Sequence, residues 1–345
     1  RGGIWVRRGP PEGYEASALR VAALRRCSGH ECRLRLCSTT PHKTLPSLHG
    51  FPDVVHAIRE GKTDLEALWP VPRGGHKRMG ETHTRNLARA WPWAAGLNRS
   101  LARPWRTCAI VGNSGALRHG NHGREIDAAH VVVRLNSGRV AACEAFAGSK
   151  TTHRVLNPWW VGQYGDAVKE LAVHPGGVKE EHEYDIQVER RVTLIATRVN
   201  KKRSEALAAA VEATRRKADV VVLDLKSSTL TAARKLLDLY RQCLAKQGKR
   251  YSGGPAPTSG LVAALVFKEA CGDLRLYGFG KSTTYNYWSK HDTRNPAHSF
   301  DAEILLLKAL AAAGQIHLCG PKGCLRGQEM TRRLRDPVYV YSPYA

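Results

Sequence analysis

From residue 106 onward, short β-branched apolar runs alternate with longer stretches whose apolar positions recur at helical spacing. Residues 108–111, 130–135, 192–199, 219–225, 274–279 and 316–319 read as strands, and several are apolar at almost every position. An unbroken apolar run suits a strand covered on both faces, which predicts a mainly parallel sheet with helices on either side. Residues 204–217, 229–247, 259–270 and 299–313 supply those helices. The expected fold class is therefore α/β, a Rossmann-like, mainly parallel sheet flanked by helices.

Upstream the pattern weakens. Residues 1–48 are rich in Arg, Gly, Pro and Ser and read as a stem or linker, leaving residues 49–345 as the folded domain. Within it, residues 51–68 look helical, while 74–83 and 98–106 look like loops. Asn98-Arg99-Ser100 is an N-glycosylation acceptor triplet. No internal repeat is visible.

Composition changes this picture in three ways. With 42% apolar residues and eight Trp in 345, the chain can bury a large core and is not a disordered tail. The 54 Lys and Arg against 30 Asp and Glu give a net charge of +24, which favours anionic partners. The excess is scattered, with no basic helix, finger or RNP-type motif, so nucleic acid is not the expected partner. Nine cysteines include no CxxC pair: Cys27/Cys32, Cys32/Cys37 and Cys319/Cys324 are spaced too widely for a zinc knuckle, so no metal site is expected. An odd number also leaves at least one thiol unpaired within the chain, and Cys243 is a candidate for a buried one.

No stretch approaches the roughly 20 apolar residues that span a bilayer. Arg1-Gly2-Gly3 resembles no signal peptide and no Met opens the chain. The expectation is that the natural N-terminus, and with it any membrane anchor, lies outside this chain.

Candidate chemistry begins where the strand at 108–111 runs into Gly112-Asn113-Ser114-Gly115. Small residues there let backbone N–H groups and short polar side chains approach a ligand, at the strand end where open α/β sheets bind one. The next strand delivers Asn136 at its own carboxyl end, and Lys150-Thr151-Thr152-His153-Arg154 follows. The turn has neither GxGxxG nor a terminal Lys-Ser/Thr, and Gly280-Lys281-Ser282 fails as a phosphate loop because Arg275 stands where glycine is needed.

Pro257-Thr258-Ser259-Gly260 precedes an apolar helix, so a hydroxyl cap leaves N–H groups ready for a phosphate or carboxylate. An ordinary capped helix would read the same way. His298 stands just before the helix at 299–313, where a helix N-terminus favours a neutral imidazole, with Glu303 in its first turns. Trp159-Trp160 reads either as a sugar-stacking platform or as core aromatics, and core is the preferred reading.

The order of these features resembles the eukaryotic sialyltransferase family, glycosyltransferase family 29, including its plant and algal sialyltransferase-like members. CAIVGNSG from Cys108, then Asp127, Arg134, Asn136 and the GSKTTH close at Gly148 to His153, match the large sialyl motif. Pro257 to Gly260, Cys271 and Tyr277-Gly278-Phe279 match the small motif, and His298 with Glu303 matches the very short one. Tyr285-Asn286-Tyr287-Trp288 occupies the place of the third motif but lacks the histidine common there.

The resemblance implies a GT-A-like sialyltransferase variant whose domain at 49–345 is catalytic. It implies an inverting, metal-independent transfer of sialic acid from CMP-sialic acid to a glycan hydroxyl, with His298 as general base. No cofactor is implied, since the CMP-sugar is a substrate, and the absence of any Asp-x-Asp triplet agrees with metal independence. Asn113, Ser114, Asn136, Thr258, Ser259, Gly260, Tyr285 and Asn286 are the implied donor contacts. Asn113 and Asn136 would hold the cytidylate, and Ser259 and Gly260 would lie near its phosphate or the sugar carboxylate. The resemblance also implies a Cys108–Cys271 disulfide and a type II membrane protein of the Golgi lumen. The acceptor would be a glycan on a glycoprotein, glycolipid or polysaccharide.

Two rivals stand beside this reading. A related acidic sugar such as Kdo, also activated by CMP, is an alternative donor. A glycan- or nucleotide-binding descendant with weak catalysis would explain the histidine-free tetrad, because asparagine donates a hydrogen bond but supplies no proton near neutral pH.

Overall fold

The computed structural model describes residues 68–70, 105–173, 186, 188–213, 220–225, 227–246, 251–280, 285–289, 295–312 and 314–327. The stem at 1–48, all but Leu68 of the helix expected over residues 51–68, the loop at 74–83, the Asn98 triplet and the Cys27, Cys32 and Cys37 group lie outside them.

The strands are β1 (Leu68–Pro70), β2 (Trp105–Val111), β3 (Val131–Leu135), β4 (His153–Leu156), β5 (Thr193–Ala196), β6 (Val221–Leu225), β7 (Cys271–Tyr277), β8 (His317–Gly320) and β9 (Gly323–Leu325). The helices are α1 (Gly123–Asp127), α2 (Glu144–Ala147), α3 (Pro158–Val173), α4 (Lys201–Glu212), α5 (Ser227–Lys246), α6 (Ser259–Ala270) and α7 (Phe300–Ala312). The nine strands of the described residues form one sheet in the order β1-β6-β5-β4-β3-β2-β7-β8-β9. Only the outer pairs, β1 with β6 and β8 with β9, are antiparallel. The mainly parallel sheet expected from the apolar runs is therefore present.

The strand order decides where a ligand can bind. From β2 the chain steps outward through β3, β4, β5 and β6, then returns to the other side of β2 with β7 and β8. Helices following β2 and β7 thus diverge to opposite faces, opening a crevice beyond the carboxyl ends of these strands. Apolar side chains cover both faces of the sheet. One cluster joins β2, β3 and β7 to α5, α6 and α7 through residues such as Ile110, Leu236, Phe267 and Leu306. A second sets α3 and α4 against β5 through Tyr164, Leu194 and Leu207.

Several expected boundaries move. Trp105 and Arg106, read as loop, begin β2, and Leu68 begins β1. The strand expected over 192–199 ends at Ala196, because Arg198 turns into the left-handed region at φ 59°. Gly278 ends β7 in the same way at φ 68°. α4 starts earlier than expected, at Lys201, because the Asn200 side chain caps it by accepting from Arg203 N at 3.0 Å.

β4 was not expected as a strand at all, since His153 and Arg154 read as polar. Both are buried. The His153 ring sits edge-on to Trp105 and Phe267, with centroids 5.2 and 5.5 Å away. Arg154 donates to the carbonyls of Asn136 at 2.7 Å and Gly138 at 3.3 Å and pairs with Glu189. Burial of a cation is tolerated here because its donors find acceptors.

The expected Cys108–Cys271 disulfide is formed and ties β2 to β7, with Cα atoms 5.9 Å apart. Cys319 and Cys324, dismissed above as a metal pair, form a second disulfide across the β8–β9 hairpin. Cys143 is a buried free thiol. Among the described residues no helix is long and apolar enough to cross a membrane.

Candidate active site

The crevice is built first from glycines. A Cβ on Gly112 would lie 2.5 Å from the carbonyl oxygen of Gly278, and one on Gly278 would lie 2.6 Å from that of Gly112. The ends of β2 and β7 therefore touch backbone to backbone, sealed by Gly112 N donating to Tyr277 O at 2.7 Å. Gly260 has a different reason: its Cβ would meet the Phe279 ring at 2.9 Å and Leu135 at 3.3 Å. That contact joins the start of α6 to the end of β3.

Asn113 donates its amide nitrogen to the Leu135 carbonyl at 3.2 Å, which fixes the amide orientation and leaves Oδ1 buried without a hydrogen-bond partner. A buried unsatisfied acceptor costs stability, so this oxygen is suited to a ligand N–H or O–H. Asn136, in the left-handed region at φ 52°, accepts from Asn157 N at 3.0 Å through its side-chain oxygen. Ser114 uses its hydroxyl oxygen as a cap, accepting from Ala116 N at 3.2 Å.

The aromatic tetrad lines this turn. Ser114 bridges Asn286 across a short antiparallel contact, Gly115 N donates to Tyr285 O at 2.9 Å, and Tyr287 N donates to Asn113 O at 3.0 Å. Tyr285 and Asn286 thus stand beside Asn113 and Ser114. Tyr287 points inward instead: it is buried, its hydroxyl donates to Arg139 O, and burial pushes its pKa up to about 12.

The large motif's remaining polar residues brace the frame. Arg134 is buried and donates to the carbonyls of Ala147, Gly148 and Lys150 at 2.8 to 3.0 Å. Asp127 accepts from Ser149 N and Ser149 Oγ at 2.9 and 2.8 Å and from Lys150 N at 2.8 Å. Burial opposes its charge, but these hydrogen bonds prevail and hold the carboxyl below its ordinary range.

A second group forms where the segment at 253–258 is laced to the start of α7. Ala256 N donates to Ala297 O at 3.1 Å, Gly254 N to Pro296 O at 2.8 Å, and Ser299 Oγ to Gly254 O at 2.7 Å. Gly253, at φ 83°, admits this approach: a Cβ there would lie 1.9 Å from His298 O. Within the lacing, His298 Nδ1 lies 2.7 Å from the Ala256 carbonyl. A carbonyl only accepts, so Nδ1 carries the proton and the neutral ring keeps its lone pair on Nε2. Burial, assisted by the charge of Arg198 and opposed by the Ala256 bond, lowers the imidazole pKa below 6.5.

Glu303 closes the lacing. It is 5% exposed and accepts from Thr258 N at 2.8 Å and from the Thr258 hydroxyl. Burial pushes its pKa up to about 7 against those hydrogen bonds and Arg198. Thr258 also caps α6 by accepting from Leu261 N at 3.1 Å. Its hydroxyl is therefore occupied on both sides, and the N–H groups of Ser259 and Gly260 form the open end of α6.

Arg198 is the participant that sequence reasoning missed. Its guanidinium donates to Ser259 Oγ at 3.3 Å and to Pro257 O, placing a half-buried cation against the start of α6. Burial lowers its pKa while Glu303 opposes that shift. It had been absorbed into an apolar strand, and no motif flags it. Gly253-Gly254-Pro255 carried a readable turn signal.

Trp159-Trp160 departs from the preferred core reading. Trp160 packs against the α3–α4 cluster, whereas Trp159 is 46% exposed.

The model of glycosyltransferase family 29 (sialyltransferase) matches residues 68–315 of the chain. The CMP-N-acetylneuraminate-beta-galactosamide-alpha-2,3-sialyltransferase 1 of Pan troglodytes is 28% identical over 221 residues, which cover 62% of this chain and 58% of that protein. The sialyltransferase-like protein 2 of Oryza sativa subsp. indica is also 28% identical over 221 residues, covering 61% of this chain and 55% of that one. The chain thus spans under three-fifths of the length of these relatives. A solved structure described as a crystal structure of a mammalian sialyltransferase aligns with TM-score 0.43 and 20% identity, over 87% of this chain and 94% of that one.

Proposed function

The chain belongs to glycosyltransferase family 29, the sialyltransferases, and from that premise we propose that it moves sialic acid from CMP-sialic acid to a glycan hydroxyl with inversion and without a metal. The supporting observation is the lacing of residues 253–258 to 296–303, which holds a neutral, Nδ1-protonated His298 next to the open N-terminus of α6.

Asn113 Oδ1, the buried acceptor, receives a hydrogen bond from the cytidylate, and the Asn136 amide nitrogen donates to it. The acceptor hydroxyl gives its proton to His298 Nε2 as its oxygen attacks the anomeric carbon, and the bond to CMP breaks on the opposite side. The phosphate gathers negative charge as it leaves. Ser259 and Gly260 N–H groups at the positive end of α6 stabilise that charge, with Arg198 behind them. Such stabilisation needs no proton donor, so the histidine-free tetrad is compatible with turnover: Tyr285 and Asn286 supply hydrogen bonds, not acid catalysis. Glu303 positions the loop through Thr258.

The two disulfides among the described residues fit an oxidising lumen. The proposed setting is the Golgi lumen, as a type II membrane protein. The acceptor would be a glycan on a glycoprotein, glycolipid or polysaccharide, and the beta-galactosamide in the relatives' names makes β-galactosides the first acceptors to try.

Incubation with a β-galactoside and either CMP-sialic acid or CMP-Kdo, followed by mass spectrometry, tests the reading. The expected result is one sialylated product per CMP released. Transfer from CMP-Kdo alone would reassign the donor sugar, and transfer from neither would end the transferase reading.

A further inference from the structure

We propose that the groove between α3 and α4 is a second glycan subsite, which holds acceptor sugar units beyond the one that receives the transferred sugar. This inference rests on the transferase reading above.

The groove measures about 290 Å³ and is walled by Trp159, Asp166 and Lys169 of α3 and by Arg203 and Ala206 of α4. That size lies at the lower end of small-molecule pockets, which favours one or two sugar rings as occupant. Its floor is made by missing side chains. Gly162 and Gly165 lie inside α3, where each glycine costs about 1 kcal/mol relative to alanine. Neither is required by packing, because a Cβ at either position would meet nothing within 4 Å. Alanine would strengthen the helix but take up the space above it.

Trp159 supplies the wall a sugar needs. The ring is 46% exposed on a helix whose neighbouring tryptophan is braced in the core, and Trp160 meets it edge-on at 4.5 Å and 84°. A pyranose presents an apolar C–H face that an indole can cover and a rim of hydroxyls that need donors and acceptors together. Gln163, Asp166, Lys169 and Arg203 offer both around the groove. The Asp166–Lys169 pair, 3.1 Å apart and exposed, is weak enough to exchange partners with hydroxyls.

The groove is also tied to the donor crevice. α3 and α4 begin at the carboxyl ends of β4 and β5, the sheet edge that carries the site. Asn136 Oδ1 accepts from Asn157 N at 3.0 Å, and Asn157 Oδ1 in turn accepts from Trp159 N at 3.1 Å and Trp160 N at 3.0 Å. On the other wall, Arg198, bonded to Ser259, lies two residues before the Asn200 cap of α4. A long acceptor whose terminal sugar reaches His298 could lay its next units along these helices.

Transfer to a β-galactoside disaccharide and to a tetrasaccharide carrying the same terminal disaccharide, measured on the full chain, tests this. The tetrasaccharide should be preferred about tenfold in kcat/KM, a factor one well-placed aromatic contact can supply. Trp159→Ala and, separately, Gly165→Leu should bring the ratio close to one, while thermal unfolding shows both variants folded. A ratio of one in the wild type, or a preference that survives in both variants, overturns the subsite. Calorimetric titration of the tetrasaccharide without donor keeps the two readings apart. Trp159-dependent binding with no transfer from either CMP-sugar leaves the subsite standing and removes the transferase; transfer without a Trp159-dependent preference does the reverse.

Discussion

Replacing His298 with alanine is expected to lower kcat for transfer by about 10²- to 10⁴-fold, the usual contribution of a positioned general base, with CMP affinity little changed. The ring's partner is the Ala256 carbonyl, so its removal deletes the Nε2 lone pair without disturbing the Glu303–Thr258 contact that holds the start of α6. The pH profile supplies the sign. A base must be neutral, and burial with the Arg198 charge puts this imidazole below 6.5, so wild-type activity should rise with pH through a midpoint below 6.5. The alanine variant should lose that acid limb. An unchanged rate, or an unchanged limb, would remove His298 from the base role.

The second large effect concerns stability. Converting Cys108 and Cys271 together to alanine should cost about 3 to 5 kcal/mol, because the bridge closes a sequence separation of 163 residues. For a domain of this size that corresponds to a fall in Tm of roughly 6 to 20 °C, read by calorimetry under non-reducing conditions. The bridge joins β2 to β7, whose ends meet at Gly112 and Gly278, so CMP binding should weaken along with stability. Cys319 and Cys324 close a separation of only 5, and their removal should cost far less. Equal melting of the Cys108/Cys271 variant and the wild type would contradict this account of the crevice.

Apolar patterning made the sheet legible because β2, β3 and β6 each carry a short buried apolar run, at residues 108–111, 131–133 and 221–223. It failed at β4, where two polar side chains are buried by partners distant in sequence: Arg154 by Glu189 and two carbonyls, His153 by Trp105 and Phe267. Two expected strands overran left-handed residues, Arg198 and Gly278, although the end of β3 before left-handed Asn136 was read correctly. In the site, the Gly-Asn-Ser-Gly turn, the Pro-Thr-Ser-Gly cap and His298 could each be picked out, but not their division of labour. Thr258, read as a donor contact, spends its hydroxyl on Glu303 and Leu261. Gly260 is glycine because of Phe279. Arg198 belongs to the site through a turn that no local pattern announces. Trp159 was misjudged because a tryptophan pair on an apolar helix looks the same whether one ring or both are buried.

A crystal structure of the chain grown with CMP should show the cytidylate in the crevice beyond β2 and β7, with a hydrogen bond to Asn113 Oδ1 and the phosphate at the N–H groups of Ser259 and Gly260. CMP bound elsewhere on the chain, with Asn113 Oδ1 still unpaired, would contradict the proposed nucleotide site.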